Sequence, residues 1–134
     1  MALIVKKFGG SSVATTEKIM NIAKRVLGEK RPEDKVVLVV SAMGDTTDDL
    51  IALAEGINKN PYQYTREMDM LLTTGEQQSA ALMAMAFNTL GQPAVSLTGP
   101  MAGMKTNDVH TKGRIVDITP ERVHKELDKG RSLW

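Results

Sequence analysis

The chain has 134 residues, 42% hydrophobic and 25% charged, and its 17 basic and 16 acidic side chains leave a net charge of +1. So even a balance offers no basic field for nucleic acid or an anionic membrane, and any anion has to be held by local geometry. The absence of cysteine excludes a disulfide framework, a thiolate metal site and a cysteine nucleophile.

Residues 2–8, "ALIVKKF", open with apolar and β-branched side chains and read as a first strand. Two glycines and two serines follow. Thr16 is then placed to cap a helix whose Ile19, Ile22, Ala23, Val26 and Leu27 fall at helical spacing, with Gly28 and Pro32 closing it. "KVVLVVSA" (35–42) is an almost continuous apolar run, the pattern of a strand buried on both faces of a parallel sheet. The loop "MGDTTDD" leads into a short helix, "LIALAEGI", and "NKNPYQY" is a loop by composition. Residues 65–90 are helical in character, interrupted at Gly75. Their "MDMLL" and "LMAMAF" clusters read as helix core, with methionine filling irregular gaps.

"PAVSLTG" (93–99) reads as a third strand and "RIVDI" (114–118) as a fourth, with a glycine-rich excursion between them. Thr119-Pro120 opens a last helix, threonine as the cap and proline at the first helical position. His110 and His124 read as solvated positions, too scattered for a zinc site. No apolar run reaches the roughly 18 residues of a membrane span, and the N-terminus lacks the long apolar segment of a secretory signal. A cytoplasmic protein is the expectation. Alternating strands and helices of these lengths predict a layered α/β fold on a mostly parallel sheet with right-handed crossovers. Ligands of such sheets sit outside the carboxyl ends of the strands.

Three stretches near that edge carry polar groups suited to chemistry. In Lys7-Phe8-Gly9-Gly10-Ser11-Ser12, the glycines allow close backbone approach, and the amides and the Lys7 ammonium could gather phosphoryl oxygens. The sequence is not a Walker A loop, and a plain glycine turn with an exposed lysine explains it equally well. In Ser41-Ala42-Met43-Gly44-Asp45-Thr46-Thr47-Asp48-Asp49, Asp45 is a candidate cap, and Asp48 and Asp49 suit the first helical turn. Ser41 and Thr47 are open to a polar ligand. In "LLTTGEQQSAA", Thr73-x-x-Glu76 fits a capping box. Glu76 could equally accept a substrate ammonium, and spacing does not choose.

Taken together, "KFGGSSVA", "VVSAMGDTTDDL", "REMDMLLTTGEQQSAALMAMA" and "AVSLTGPMAGMKTNDVHTKGRIVDITPERV" resemble the aspartate kinase family, in order and from Leu3 to about Gly130. The resemblance implies a three-layer αβα sandwich of the amino-acid kinase type. It also implies transfer of the γ-phosphoryl of Mg-ATP to the β-carboxylate of L-aspartate, giving 4-phospho-L-aspartate on the route to lysine, threonine and methionine. By the same resemblance Lys7 contacts the transferring phosphoryl group. Gly9, Gly10 and Ser11 surround the ATP phosphates, and Ser41, Thr47 and Glu76 line the aspartate site, Glu76 near the ammonium. No metal-ligating residue is assigned, Mg2+ arriving with ATP. Partners implied are L-aspartate, ATP and a second kinase subunit, either a homodimer mate or a full-length subunit.

Two positions depart from the family pattern, which commonly has glutamine at position 6 and often threonine at position 11. Alternation turns Lys6 away from Lys7, and Ser11 keeps the hydroxyl. After "ELDKG" the family continues into a further buried strand, more catalytic loops and regulatory ACT domains, whereas this sequence reads "RSLW". Residues 1–130 are therefore expected to form the N-terminal half of a kinase catalytic domain. Residues 131–134 are expected to be a tail unlike the family's strand, and the chain alone to have little or no activity. The alternative is a non-catalytic module that binds ligand or associates with a full-length subunit.

Overall fold

In the computed structural model, which describes residues 1–133, strands β1 (Leu3–Phe8) and β2 (Lys35–Val40) run parallel. Their register places Leu3 opposite Lys35 and Phe8 opposite Val40. Strand alternation sorts the side chains into two sets. Ile4, Lys6, Phe8, Val36, Leu38 and Val40 share one face. Leu3, Val5, Lys7, Lys35, Val37 and Val39 share the other.

Helices α1 (Thr16–Glu29) and α3 (Thr65–Thr89) cover the first face. Ile19, Ala23 and Val26 of α1 and Met83 and Phe87 of α3 enclose Val36 and Leu38 in the core. Lys6 lies on this side, as alternation predicts, and its Nζ reaches Glu29 Oε2 at 2.6 Å. The methionine clusters divide. Met68 and Met83 are buried, while Met70 and Met85 are exposed, because a step of two residues turns a helix through more than half a revolution.

The sheet order is β1-β2-β6-β3, with β3 at Ala94–Val95 and β6 at Ser132–Leu133, all pairs parallel. Passing from β1 to β2 and from β2 to β3 moves one way across this order, and passing from β3 to β6 moves back. Right-handed crossovers therefore put α4 (Glu121–Asp128) on the opposite face from α1 and α3. Two observations agree: Asp128 Oδ1 lies 2.7 Å from Lys35 Nζ, and buried Leu127 stands outside the main core cluster. Three layers result, the third a thin one. The expectation that β2 is buried on both faces is corrected here, since Val39 is 48% exposed. An eight-residue helix is only about 12 Å long, and α4 packs against β6.

Several local readings also change. The cap of α1 is Thr15, whose Oγ1 accepts the Lys18 amide at 3.1 Å, and not Thr16. Helix α2 (Thr46–Ile57) already includes the "TTDD" read as loop, and Asp45 at its cap position makes no side-chain cap bond. Gly75 does not interrupt α3, which runs unbroken for 25 residues. Of "PAVSLTG" only Ala94 and Val95 form a strand. "RIVDI" supplies β5 (Ile115–Ile118), which pairs antiparallel with β4 (Met104–Thr106) in a separate hairpin. The short link between these strands suits a hairpin and is too short for a parallel crossover. Thr119 does not cap α4. Its amide and its Oγ1 both donate to the Gly103 carbonyl at the hairpin base, at 2.9 and 3.3 Å.

Residues 131–134, read as a tail, include β6, wedged between β2 and β3; Trp134 lies outside the described residues. Ser132 donates its amide to the Pro93 carbonyl at 2.9 Å. The turn before it is fastened by Glu126, which is buried in α4 and held by Arg122 Nε at 2.9 Å and Arg131 Nη1 at 2.8 Å. The Arg131 hydrogen bond is the largest influence on this carboxyl. It outweighs the cost of burial and, with Arg122, keeps the group below the ordinary glutamate value of 4.5. A depressed carboxylate contributes stability that is full above the unfolded value and is lost as pH falls through the folded one. Urea unfolding midpoints should therefore decline as pH falls below about 4.5. The decline should be shallower in Glu126→Gln, and parallel acid limbs in the two proteins would refute the assignment.

Candidate functional site

The connections after β1 and β2 meet at the carboxyl edge of the sheet. The Ser41 amide donates to the Phe8 carbonyl at 3.2 Å and the Gly44 amide to the Gly10 carbonyl at 2.9 Å. Contact this close requires glycine at position 10, where an added Cβ would lie 2.8 Å from the Ala42 carbonyl oxygen. Gly10 begins a single 3-10 turn, Gly10–Val13. Among the described residues the Gly10 and Ser11 amides donate to no protein acceptor, so they are available to an anion. Lys18 Nζ bonds the Ser11 carbonyl at 3.1 Å and fixes the back of the turn. Lys7, one residue before the end of β1, is exposed on the sheet face opposite Lys6.

Helix α3 closes the group from a third side. A Cβ at Gly75 would lie 3.1 Å from Ala42 Cβ and 3.4 Å from Thr46 Cγ2. The bare glycine thus lets α3 press against the second loop and the start of α2. Its neighbour Glu76 is exposed. The capping-box reading of Thr73 and Glu76 fails, because both stand inside α3, where helical bonding already occupies the amides. Thr73 Oγ1 instead donates to the Met70 carbonyl at 3.0 Å.

The loop bonds set Ser41 beside Phe8 and Gly44 beside Gly10, and the Gly75 contact sets α3, with Glu76 next in sequence, against Ala42 and Thr46 at the start of α2; the Lys7 side chain lies on the sheet face opposite α3. The side chains of Lys7, Ser41, Thr47 and Glu76 make no hydrogen bond or ion pair among the described residues. One free cation, hydroxyls, free amides and one carboxylate on the loops and helix at this end of the sheet are the groups that can hold a molecule with both anionic and cationic ends. No group of three His, Cys, Asp or Glu side chains that could hold a metal ion occurs among the described residues.

The "MDMLL" cluster, expected to be helix core, includes one residue with a polar role. Asp69, inside "MDMLL", is partly exposed and accepts the Thr111 amide on both carboxylate oxygens, at 3.0 and 2.9 Å. An acid between two methionines in an otherwise apolar stretch was the available signal.

The chain matches the amino acid kinase family over residues 2–133. It is 52% identical over 131 residues to the aspartokinase of Corynebacterium glutamicum, an alignment covering 98% of this chain and 31% of that protein. The crystal structure of aspartate kinase from Synechocystis superposes with a TM-score of 0.81 at 44% identity, covering 98% of this chain and 21% of the other. E. coli aspartokinase III in complex with aspartate and ADP superposes at 0.76 with 19% identity, over 99% and 40% of the two chains. At that identity the likeness bears on the fold alone. The chain spans about a third of the length of the curated relatives it matches.

Proposed function

The chain belongs to the amino acid kinase family, and we propose that it carries the phosphate-facing and substrate-facing loops of an aspartate kinase. The acceptor is the β-carboxylate of L-aspartate and the product 4-phospho-L-aspartate, at the head of lysine, threonine and methionine synthesis in the cytoplasm. The observation that carries this reading is Glu76: exposed, unpartnered among the described residues, and set beside the glycine that joins α3 to the second loop. The C. glutamicum relative, 52% identical to this chain, is an aspartokinase.

A carboxylate attacking a phosphate brings two anions together, and the acceptor needs no base because it is already ionised at neutral pH. Catalysis then rests on positioning and on charge neutralisation. Lys7 supplies a cation on the transferring group, and the Gly10 and Ser11 amides supply neutral donors beside it. Ser41 and Thr47 offer hydroxyls to the aspartate, while Glu76 pairs with its ammonium and turns the β-carboxylate toward Lys7. When bound, ATP supplies the γ-phosphoryl that becomes attached to the β-carboxylate oxygen, leaving ADP. Magnesium belongs to this reading as the nucleotide's counter-ion.

The test replaces the matching segment of C. glutamicum aspartokinase with this chain. ATP- and aspartate-dependent turnover is the expected result. Glu76→Gln in the same protein should raise KM for aspartate about tenfold, the loss of one charge-assisted contact at an exposed site, with KM for ATP little changed. A folded, soluble chimera without aspartate-dependent turnover would overturn the reading.

A further inference from the structure

The base of the β4–β5 hairpin is closed by the two Thr119 bonds to Gly103. Its tip, residues 107–114, is tied to α3 through Asp69. There the carboxylate accepts the Thr111 amide on both oxygens, and Oδ2 lies 3.0 Å from His110 Nδ1, a distance at which an Nδ1–H tautomer donates. The tip is itself ordered by Asn107, whose Oδ1 accepts the amides of Val109 and Arg114 at 3.3 and 3.2 Å. Thr111 has φ +64°, left-handed backbone that a β-branched residue adopts only where its surroundings hold it. The Asp69 carboxylate is the group that captures the amide in that conformation.

Asp69 and Glu76 are seven residues apart on α3, two helical turns, and therefore share one face of the helix about 10 Å apart. We propose that Asp69 is a positioning residue. By fastening the hairpin tip to α3 it sets the hairpin as one wall of the face on which Glu76 meets the substrate ammonium. This inference rests on the aspartate-kinase reading. It assigns Asp69 no contact with substrate; its effect passes through His110 and Thr111.

The test compares Asp69→Ala and Asp69→Asn with the parent by two readouts. The first is amide hydrogen exchange of residues 107–114 in the chain itself. The second is steady-state kinetics in the C. glutamicum chimera. Asp69→Ala should speed exchange at Thr111 by about tenfold or more. It should raise KM for aspartate several-fold, with kcat and KM for ATP changed less than about twofold. Asp69→Asn keeps an oxygen for the Thr111 amide and should restore most of both. Unchanged exchange in Asp69→Ala would remove the tether. Faster exchange with unchanged KM for aspartate, or a rise in KM for ATP instead, would leave Asp69 a purely structural residue and overturn the proposal. A parent chimera without aspartate-dependent turnover would overturn the substrate-wall role together with the kinase reading, while the exchange data still decide the tether.

Discussion

Lys7→Ala in the C. glutamicum chimera is expected to lower kcat by about 10²–10³-fold, the usual effect of deleting one donor aimed at developing charge, and to leave the fold intact. The structural half of this expectation follows from the surroundings of Lys7. The side chain is exposed, on the sheet face away from the α1–α3 core, and it makes no hydrogen bond or ion pair among the described residues. Its neighbour Lys6 is the contrasting case, tied to Glu29 and able to affect the packing of α1 on β1. The chemical half follows from charge, since two anions that must approach each other gain most from a cation present only at their meeting point. Steady-state kinetics beside a thermal melt separate the two. A melting temperature equal to that of the parent with a large fall in kcat is the expected pair. Near-parental kcat would remove Lys7 from the reaction, and a lowered melting temperature would return it to the fold.

The sequence carried the parts of this architecture that depend on short periods. The β1 alternation that separates Lys6 from Lys7, the apolar stripe of α1 and the run of β2 are all local patterns, and each element forms where its pattern lies. What the sequence misstated depends on distant partners. "RIVDI" has the composition of a core strand, yet it pairs with Met104–Thr106 in a hairpin, and its Ile115, Val116 and Ile118 are exposed. "RSL" has almost no strand signal, yet β6 occupies an inner position because β2 and β3 leave a gap for it and Glu126 fixes its entry. Gly75 looked like a helix breaker because glycine is costly inside a helix. Only the packing reveals that Ala42 and Thr46 occupy the space a side chain would need.

The same division applies to the candidate site. Lys7, Gly9, Gly10 and Ser11 are contiguous, so one short motif names them. Ser41, Thr47 and Glu76 come from other elements, and for Glu76 the residues alone left capping and ligand binding equally open. The fold decides against capping by putting Thr73 inside α3. Asp69 was hidden for a related reason: its partners, His110 and Thr111, are 41 and 42 residues away.

Gly10→Val tests whether the two loops act as one device. The Cβ would stand 2.8 Å from the Ala42 carbonyl oxygen, and that neighbour is backbone, so it cannot swing aside as a long side chain would. The strain has to be relieved by moving the first loop, the second loop, or both. Overpacking of this kind costs about 1–3 kcal/mol, and it breaks the register that lets Gly44 donate to the Gly10 carbonyl. Lys7 and the free amides of Gly10 and Ser11 then part from Ser41 and Thr47. A misplacement of about 1 Å between reacting groups can cost on the order of 10²-fold in rate. The expected result in the chimera is therefore a fall in kcat of that order with a melting temperature lowered by several degrees. Gly9→Ala is the companion, because an added Cβ at Gly9 meets nothing within 4 Å in the protein. It should leave the melting temperature near the parent's, so that any rate lost by this variant reports on the bound phosphates. If Gly10→Val melted and turned over like the parent, the loops would not be coupled through this contact, and the proposed joint action of Lys7 with Ser41 and Thr47 would lose its support.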